Sequence, residues 1–367
     1  ISVRLVGSEM CIRDSPKGVV MTHRGAISTL MSWHFGLRVL DAMGLGPVPY
    51  TDKNGQPFQP CQLVSVPFFH VSGTHGGVLL ALWSGTKLVI MKKWDPPEAV
   101  RLMESEKVSR FGGVPTMAAE IIEEAKKVGA KLDSIRLIDT GGANRPADQA
   151  KEMADFIPHV LTGTSYGMTE TNALGIAIRG KEYLENPKVT GRLIAPLAEM
   201  RIVDEFDVDV AVGEVGELVL KSAANMRCYL NKDIETSEVL KNGWLYTGDL
   251  AKIDENELIT LVDRKKNIII RGGENISAQE VQTAILEHPN VVEAAIFSVP
   301  NERLGEIVGA CVYCRKTSHE NESSLQDFLK SSLAAYKIPE HIWIKNKPLP
   351  RVASEKIDVE ALKKEYS

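Results

Sequence analysis

The chain has 367 residues, 44% hydrophobic and 25% charged, with a formal net charge of −5. This is ordinary globular composition, and the length fits two or more packed domains. The small negative charge and the lack of a basic run argue against nucleic acid as a partner. No apolar run reaches the roughly 18 to 20 residues of a membrane span.

The opening "ISVRLVGSEMC" lacks the continuous apolar core and small-residue cleavage site of a signal peptide. Five cysteines in a chain this long do not make a disulfide framework. A reducing, intracellular and cytoplasmic setting follows, with peripheral membrane association left open.

In chain order, "DSPKGVVMTHRG" (14–25) looks like the second half of a phosphate-binding loop. Such loops begin with Gly, Ser and Thr, because bare backbone N–H groups must approach phosphate oxygens closely. That run is absent here. "QLVSVPFF" (62–69) and "KLVIMKK" (87–93) are strand candidates. "DPPEAVRLMESEK" (95–107) opens with an Asp-Pro helix start. "VSRFGGV" is extended, and "PTMAAEIIEEAKKVGA" has helical periodicity with a glycine near its end. "IRLIDTGG" is a strand entering a glycine turn, "RPADQAKEMADFI" a helix, and "HVLTGTSYG" the next strand. This alternation predicts a mostly parallel sheet with flanking helices and ligands at the carboxyl ends of its strands.

Beyond about residue 190, "AEMRIVDEFD", "GELVLKS" and "ELITLVDRKKNIII" read as strands of a small antiparallel β unit. From about 264 a compact α+β domain follows: helices "SAQEVQTAILEH" and "SLQDFLKSSL", strands "VVEAAIFSVP" and "EIVGACVYCRK". Cys311 and Cys314 in the last strand form a C-x-x-C. At that spacing they face opposite sides of a strand, which reads as a buried strand without redox or metal duty.

Six stretches then line up: "SPKGVVMTHRG", "PFFHVSG", "TGTSYGMTETN", "GWLYTGDL", "DRKKNIIIRGGENISAQEVQ" and "PLPRVASEKIDVEAL". Together, over residues 15 to 367, they resemble the adenylate-forming superfamily of AMP-binding enzymes, in particular its fatty-acyl and aryl-acyl CoA ligases. The resemblance implies an α/β fold: a partial, mostly parallel sheet with flanking helices, a small antiparallel β subdomain and a C-terminal α+β domain. The expected divisions are a leader at 1–14 that resembles nothing in the family, a truncated N-terminal domain at 15–262 with its β subdomain at 192–262, and a mobile C-terminal domain at 263–367.

The implied function is an ATP-dependent acyl-CoA ligase acting on a carboxylic acid, fatty in the first instance, through an acyl-adenylate. ATP and Mg²⁺ are the cofactors and coenzyme A the co-substrate. Two alternatives stand beside it: an adenylate-forming relative with another acceptor, and an inactive fragment that binds nucleotide or acyl chain. As written, the fragment is expected to bind ATP poorly and to leave apolar sheet edges exposed.

The resemblance assigns residues one by one. Glu170 ligates Mg²⁺, whose preference is for carboxylate and phosphate oxygens, and Thr169 donates to a phosphate. Taken alone, Glu170 caps a helix. Tyr166 stacks on adenine, with Gly167 in its turn, while Gly141, Gly142 and Ala143 form a small-residue wall for the base. Taken alone, that wall is an ordinary glycine turn. Lys17 belongs to the phosphate loop, where Ser15 and Gly18 are also kept. Asp249 accepts from the ribose hydroxyls and Arg264 contacts ribose or phosphate; alone they are a turn aspartate and a surface ion pair.

Lys266 is the hinge between half-reactions. Lys356 is the adenylation lysine, bridging carboxylate and α-phosphate as charge builds, although Glu355 stands where the family has glycine. His70, placed at a strand end, borders and gates the acyl pocket, or is a core histidine. Gly272, Gly273 and Glu274 line the pantetheine tunnel. The segment "FFHVSGTHGGVLL" lacks the acid that amino-acid-activating relatives use to hold a substrate ammonium, which suits an acyl or aryl tail.

Overall fold

The computed structural model describes residues 4–8, 17–142, 147–315, 320–352 and 356–366. Ser15, Ala143 and Glu355 lie outside them. The chain divides into two compact units. The first comprises Ile1–Ile202, Val219–Thr247 and Ile253–Thr260; the second comprises Val203–Leu218, Gly248–Lys252 and Leu261–Ser367.

The first unit begins with β1 (Arg4–Ser8), which pairs antiparallel with β2 (Lys17–Met21). Helix α1 (His23–Ala42) follows, its N-terminus closed by Thr22 Oγ1, which accepts from the Gly25 N–H at 3.0 Å. Ile27, Met31, Phe35 and Val39 recur along α1, with Met43 at its C-cap, as an exposed apolar stripe. Then come β3 (Cys61–Val64), a π-helical segment (Ser72–Leu79), α2 (Leu80–Ser84) and β4 (Lys87–Ile90).

The strand expected over 62–69 stops at Val64. Pro67 has no N–H to offer a ladder, and the chain turns there, with the His70 N–H donating to the Pro67 carbonyl at 3.0 Å. His70 is therefore in the turn before the π-helical segment, not at a strand end as expected.

Helix α3 (Pro96–Ser105) starts as its sequence predicts. Asp95 accepts from the Glu98 N–H at 2.9 Å, and Pro96 occupies the first turn, where no N–H is needed. Strand β5 (Arg110–Gly113) leads to α4 (Pro115–Val128), which ends on Gly129 in the left-handed region, φ +71°. Strand β6 (Leu137–Gly141), α5 (Ala147–Phe156) and β7 (Leu161–Tyr166) complete the alternation. They are followed by β8 (Ile176–Arg179), α6 (Gly180–Glu185) and β9 (Arg192–Leu193).

The seven strands run in the order β4-β3-β5-β6-β7-β8-β9. The first five are parallel, while β8 and β9 each run antiparallel to the neighbour before them. Phe111, Ile121, Ile138, Met103 and Met153 form the centre of the apolar layer between this sheet and α3 to α5. The mostly parallel, helix-covered sheet is the one predicted.

Strands β10 (Ala198–Val203), β11 (Gly216–Ser222), β12 (Cys228–Tyr229), α7 (Asp233–Val239), β13 (Leu240–Lys241), β14 (Trp244–Ile253) and β15 (Ile259–Arg264) come next. A five-stranded sheet has the order β10-β11-β14-β13, with β15 beside β14. The β13–β14 turn uses Asn242 and Gly243, φ +52° and +84°, the left-handed pair a two-residue hairpin needs. The predicted run "ELITLVDRKKNIII" is not one strand. A turn at Lys265–Asn267 separates β15 from β16 (Ile268–Arg271), which belongs to a different sheet.

The second unit continues with β17 (Glu274–Ser277), α8 (Ala278–Leu286), β18 (Val291–Asn301), β19 (Gly305–Cys314), α9 (Glu322–Leu329), β20 (His341–Lys345) and α10 (Val359–Tyr366). Its sheet runs β17-β16-β19-β18, with β20 parallel to β19. One face packs on α8 and α9 through Ile285, Val308 and Leu325, and the other holds Phe297, Leu349 and Leu362. Cys314 lies in the first cluster and Cys311 in the second, on opposite faces as expected.

Candidate active site

In the first unit, β6 and β7 are in register, Gly141 opposite Ser165, so their carboxyl ends lie side by side. A Cβ on Gly141 would meet the Ser165 carbonyl at 2.7 Å, and Gly142 has φ +75°. Both positions therefore require glycine for close approach and for turn conformation. Past β7, Gly167 is equally constrained: a Cβ there would lie 2.4 Å from the Ala173 carbonyl. This tight loop holds Tyr166 and a single turn, Thr169–Thr171, whose three residues are all buried.

Glu170 is 4% exposed, and its Oε1 accepts from the Tyr229 hydroxyl at 2.8 Å. Its carboxylate thus goes to a residue 59 positions away and does not cap a local helix. The Glu170 carbonyl accepts from the Met226 N–H at 2.6 Å, tying the turn to the segment before β12. Strand β12 in turn pairs with β2, Tyr229 opposite Val19. Val19, Met21, Met168, Met226 and Tyr229 share one apolar cluster. At the start of β2 the Lys17 ammonium stands 5.3 Å from the centre of the Tyr229 ring, within cation–π range. Lys17, Tyr229 and Glu170 therefore form one connected group. The sequence motifs pointed to Lys17 and Glu170 separately. Tyr229, in the two-residue strand β12, is the link between them.

His70 stacks, tilted, on Phe69 with ring centres 4.9 Å apart. The buried His75 Nε2 lies 2.9 Å from Asn172 Oδ1, a contact no motif announced.

In the second unit, Arg264 Nε donates to Asp249 Oδ1 at 2.7 Å, and the aspartate side chain is only 5% exposed. Glu217, also buried, accepts from the Gly248 N–H at 2.9 Å and from the Lys265 ammonium. It thereby ties Gly248, a left-handed residue (φ +72°) within strand β14, to the turn after Arg264. Asp263 accepts from Ser277 Oγ at 2.7 Å and from the Gln279 N–H at 2.9 Å, fixing the end of β15 to the start of α8. Sequence reading singled out neither acid, since both look like ordinary strand-end carboxylates. Lys266 is exposed in the Lys265–Asn267 turn.

Lys356 sits in a hairpin closed by three contacts. Asp358 N–H donates to the Pro350 carbonyl at 2.7 Å, Val352 N–H donates to the Lys356 carbonyl at 2.9 Å, and Arg351 bridges Ile357. By surface area Lys356 is exposed, yet protein atoms crowd its ammonium. That partial dehydration is the larger effect pulling its pKa below the ordinary lysine value. The nearby Arg264 cation adds to it, and Asp249 opposes both. The three residues predicted to touch ribose, phosphate and the reacting carboxylate thus share one charged neighbourhood.

Gly272 and Gly273, φ +59° and +91°, form the two-residue turn of the β16–β17 hairpin, with Arg271 opposite Glu274. Gly272 is tied down by its N–H to the Leu304 carbonyl at 2.8 Å.

Among the described residues, no group of three or more His, Cys, Asp or Glu side chains could hold a metal by itself. Glu170 offers a single carboxylate. That fits Mg²⁺, which commonly binds through one or two carboxylates plus substrate phosphates.

Two family models match this chain: AMP-binding enzyme over residues 15–230, and AMP-binding enzyme C-terminal domain over residues 280–356. A long-chain-fatty-acid–CoA ligase of Bacillus subtilis is 30% identical over 349 residues, 94% of this chain and 58% of that protein. The o-succinylbenzoate CoA synthetase of Bacillus subtilis, solved with its acyl-adenylate intermediate, superposes with a TM-score of 0.80 at 26% identity, over 98% of this chain and 68% of that one. The same enzyme in complex with ATP and a magnesium ion gives 0.79 at 26% identity, over 98% and 69%. The chain spans about three fifths of the length of the first curated relatives it matches. With its motifs, its sheet and both family models in agreement, the chain belongs to the AMP-binding enzyme family.

Proposed function

We propose that this chain carries the activating chemistry of an AMP-forming acid–thiol ligase. A substrate carboxylate oxygen attacks the α-phosphorus of ATP and pyrophosphate leaves, giving an acyl-adenylate. The thiolate sulfur of coenzyme A then attacks the acyl carbon and AMP leaves. The observation that carries the reading is the Asp249–Arg264 ion pair, to whose charges the Lys356 ammonium is electrostatically coupled. An acid suited to a ribose diol and two cations suited to phosphate charge are gathered in one unit.

In this reading Lys356 stabilises the charge that builds between carboxylate and α-phosphate. Asp249 accepts from the ribose hydroxyls, and Arg264 both orients Asp249 and contacts the nucleotide. Tyr166 and the backbone at Gly141 and Gly142 receive the adenine. Thr169 and Lys17 hold the phosphates. Glu170, oriented by Tyr229, holds Mg²⁺, which when bound would neutralise triphosphate charge. Lys266 is the pivot between the half-reactions, His70 borders the acyl pocket, and Gly272 and Gly273 line the path of the pantetheine arm.

The acid is proposed to have an uncharged tail, because "FFHVSGTHGGVLL" offers no carboxylate to a substrate ammonium. A fatty tail is in keeping with the name of the Bacillus subtilis fatty-acid relative, and a neutral aryl tail meets the same condition. Cys61, Cys228, Cys311 and Cys314 are free thiols, which suits a reducing compartment.

The test is acid-dependent exchange of labelled pyrophosphate into ATP, together with AMP release with and without coenzyme A. Exchange, with AMP release accelerated by coenzyme A, is expected. Exchange with AMP release indifferent to coenzyme A would move the assignment to a relative with another acceptor. Nucleotide binding without exchange would mark a non-catalytic binder.

A further inference from the structure

Glu293 is a buried carboxylate, 5% exposed, that the chemistry above does not use. It lies in β18 where the register against β19 slips: Val291 stands opposite Cys314, and Glu293 opposite the adjacent Tyr313. Val292 is therefore the extra residue of a β-bulge, and bulges re-aim side chains. The effect shows in the packing. In an unbroken strand Val291 and Glu293 would point to the same face. Here Val291 packs in the α8-side cluster with Ala294 and Ile296. Glu293 keeps the alternation of Ala295 and Phe297, which pack with Leu349 and Ile357 on the other face. The bulge turns the carboxylate toward the C-terminal segment.

There Glu293 Oε2 accepts from the Leu349 N–H at 2.7 Å, and Oε1 pairs with the Arg351 guanidinium. These two residues enter the hairpin that carries Lys356, and Arg351 forms its bridge to Ile357. A buried ion pair is a poor device for stability, since well-packed apolar residues of similar size often do as well or better. What it supplies is a fixed direction for the segment it holds.

We propose that Glu293 is a positioning residue for Lys356, holding the base of its hairpin so that the ammonium arrives where adenylation needs it. The inference rests on the reading of Lys356 given above.

The test compares wild type with Lys356→Ala, Glu293→Gln and Glu293→Ala. Three quantities are read: pyrophosphate exchange, conversion of preformed acyl-adenylate to thioester by coenzyme A, and amide hydrogen exchange over residues 350–352 and 356–358. Glu293→Gln keeps an acceptor for the Leu349 N–H and guards against simple misfolding of the alanine variant. Both Glu293 variants are expected to lose about tenfold to a hundredfold in exchange, the scale of a small misplacement. Thioester formation should stay within about twofold, and hairpin amides should lose protection.

Exchange abolished by Lys356→Ala but unchanged in both Glu293 variants would overturn this inference alone. Exchange unaffected by Lys356→Ala would overturn the reading it rests on, and the inference with it. Unaltered amide protection in the Glu293 variants would overturn the positioning role whatever the activities. So would parallel loss of both half-reactions in step with thermal stability.

Discussion

The Tyr229 hydroxyl donates to Glu170 Oε1 at 2.8 Å, joining residues 59 positions apart. The bond fixes one carboxylate oxygen and leaves the orientation of the group independent of any bound cation. Tyr229→Phe keeps the ring in its cluster and beneath the Lys17 ammonium, but leaves a buried carboxylate short of a donor, a loss of about 1–3 kcal/mol. The variant should fold with a modestly lower Tm and need about threefold to tenfold more Mg²⁺ for half-maximal pyrophosphate exchange, which is about 0.7–1.4 kcal/mol on cation binding. A Mg²⁺ titration identical to wild type would remove Tyr229 from the site.

Lys356 titrates below an ordinary lysine because its ammonium is partly dehydrated and the Arg264 cation disfavours its charge. The folded chain therefore releases this proton at lower pH than the unfolded chain does. Between the lowered value and the ordinary lysine value, the unfolded state binds more protons, and stability rises with pH across that window. Adenylation, which uses the ammonium, should fall on its alkaline side earlier than an unperturbed lysine would allow. Arg264→Gln should move that limb of the kcat profile to higher pH, and Asp249→Asn should move it lower. A limb that stays put in both variants would mean another group titrates there.

Cys311 is fully buried, and burial raises its thiol to about 11 from 9.0. Because the folded value is the raised one, the thiol's contribution to stability is complete below about 9 and is lost as pH rises through about 11. Cys314, on the other face of β19, is shifted in the same direction by burial. At pH 8, alkylation followed by peptide mapping should label half-buried Cys228 well before Cys311 or Cys314. Rapid native labelling of Cys311 would contradict the packing of β19.

Helix α10 is fastened by rings. Tyr366 stacks on Trp343 with centres 4.2 Å apart, and Trp343 stacks on Phe297 at 5.8 Å. Lys345 adds an ion pair to Glu365 at 2.7 Å. Tyr366→Ala should cost about 2–4 kcal/mol, near the low end of large-to-small core changes, since the ring is only half-buried. Denaturant unfolding monitored by tryptophan emission measures it. A midpoint unchanged from wild type would show that α10 is held by its backbone and Leu362 alone.

Much of the architecture was legible because its signals are local. Asp95 followed by Pro96 starts α3 and Gly129 ends α4; each acts through the backbone of its immediate neighbours. The order of the motifs was enough to gather Glu170, Asp249, Arg264 and Lys356 as candidates. Where a local signal was overlooked, the expectation failed. Pro67 ends the ladder before His70, and the Lys265–Asn267 turn divides a run that reads as one strand.

The sequence by itself determined which residue types are available to hold a nucleotide and, where the signals are local, which segments become strands and helices. Only the tertiary structure decided how those residues are aimed. Tyr229 on Glu170, Glu217 between Gly248 and Lys265, and Glu293 beneath the Lys356 hairpin join positions tens of residues apart. The physical reason is that a buried carboxylate must find donors wherever packing brings them. Strand register, and a bulge of one residue, choose those donors without leaving a pattern along the chain.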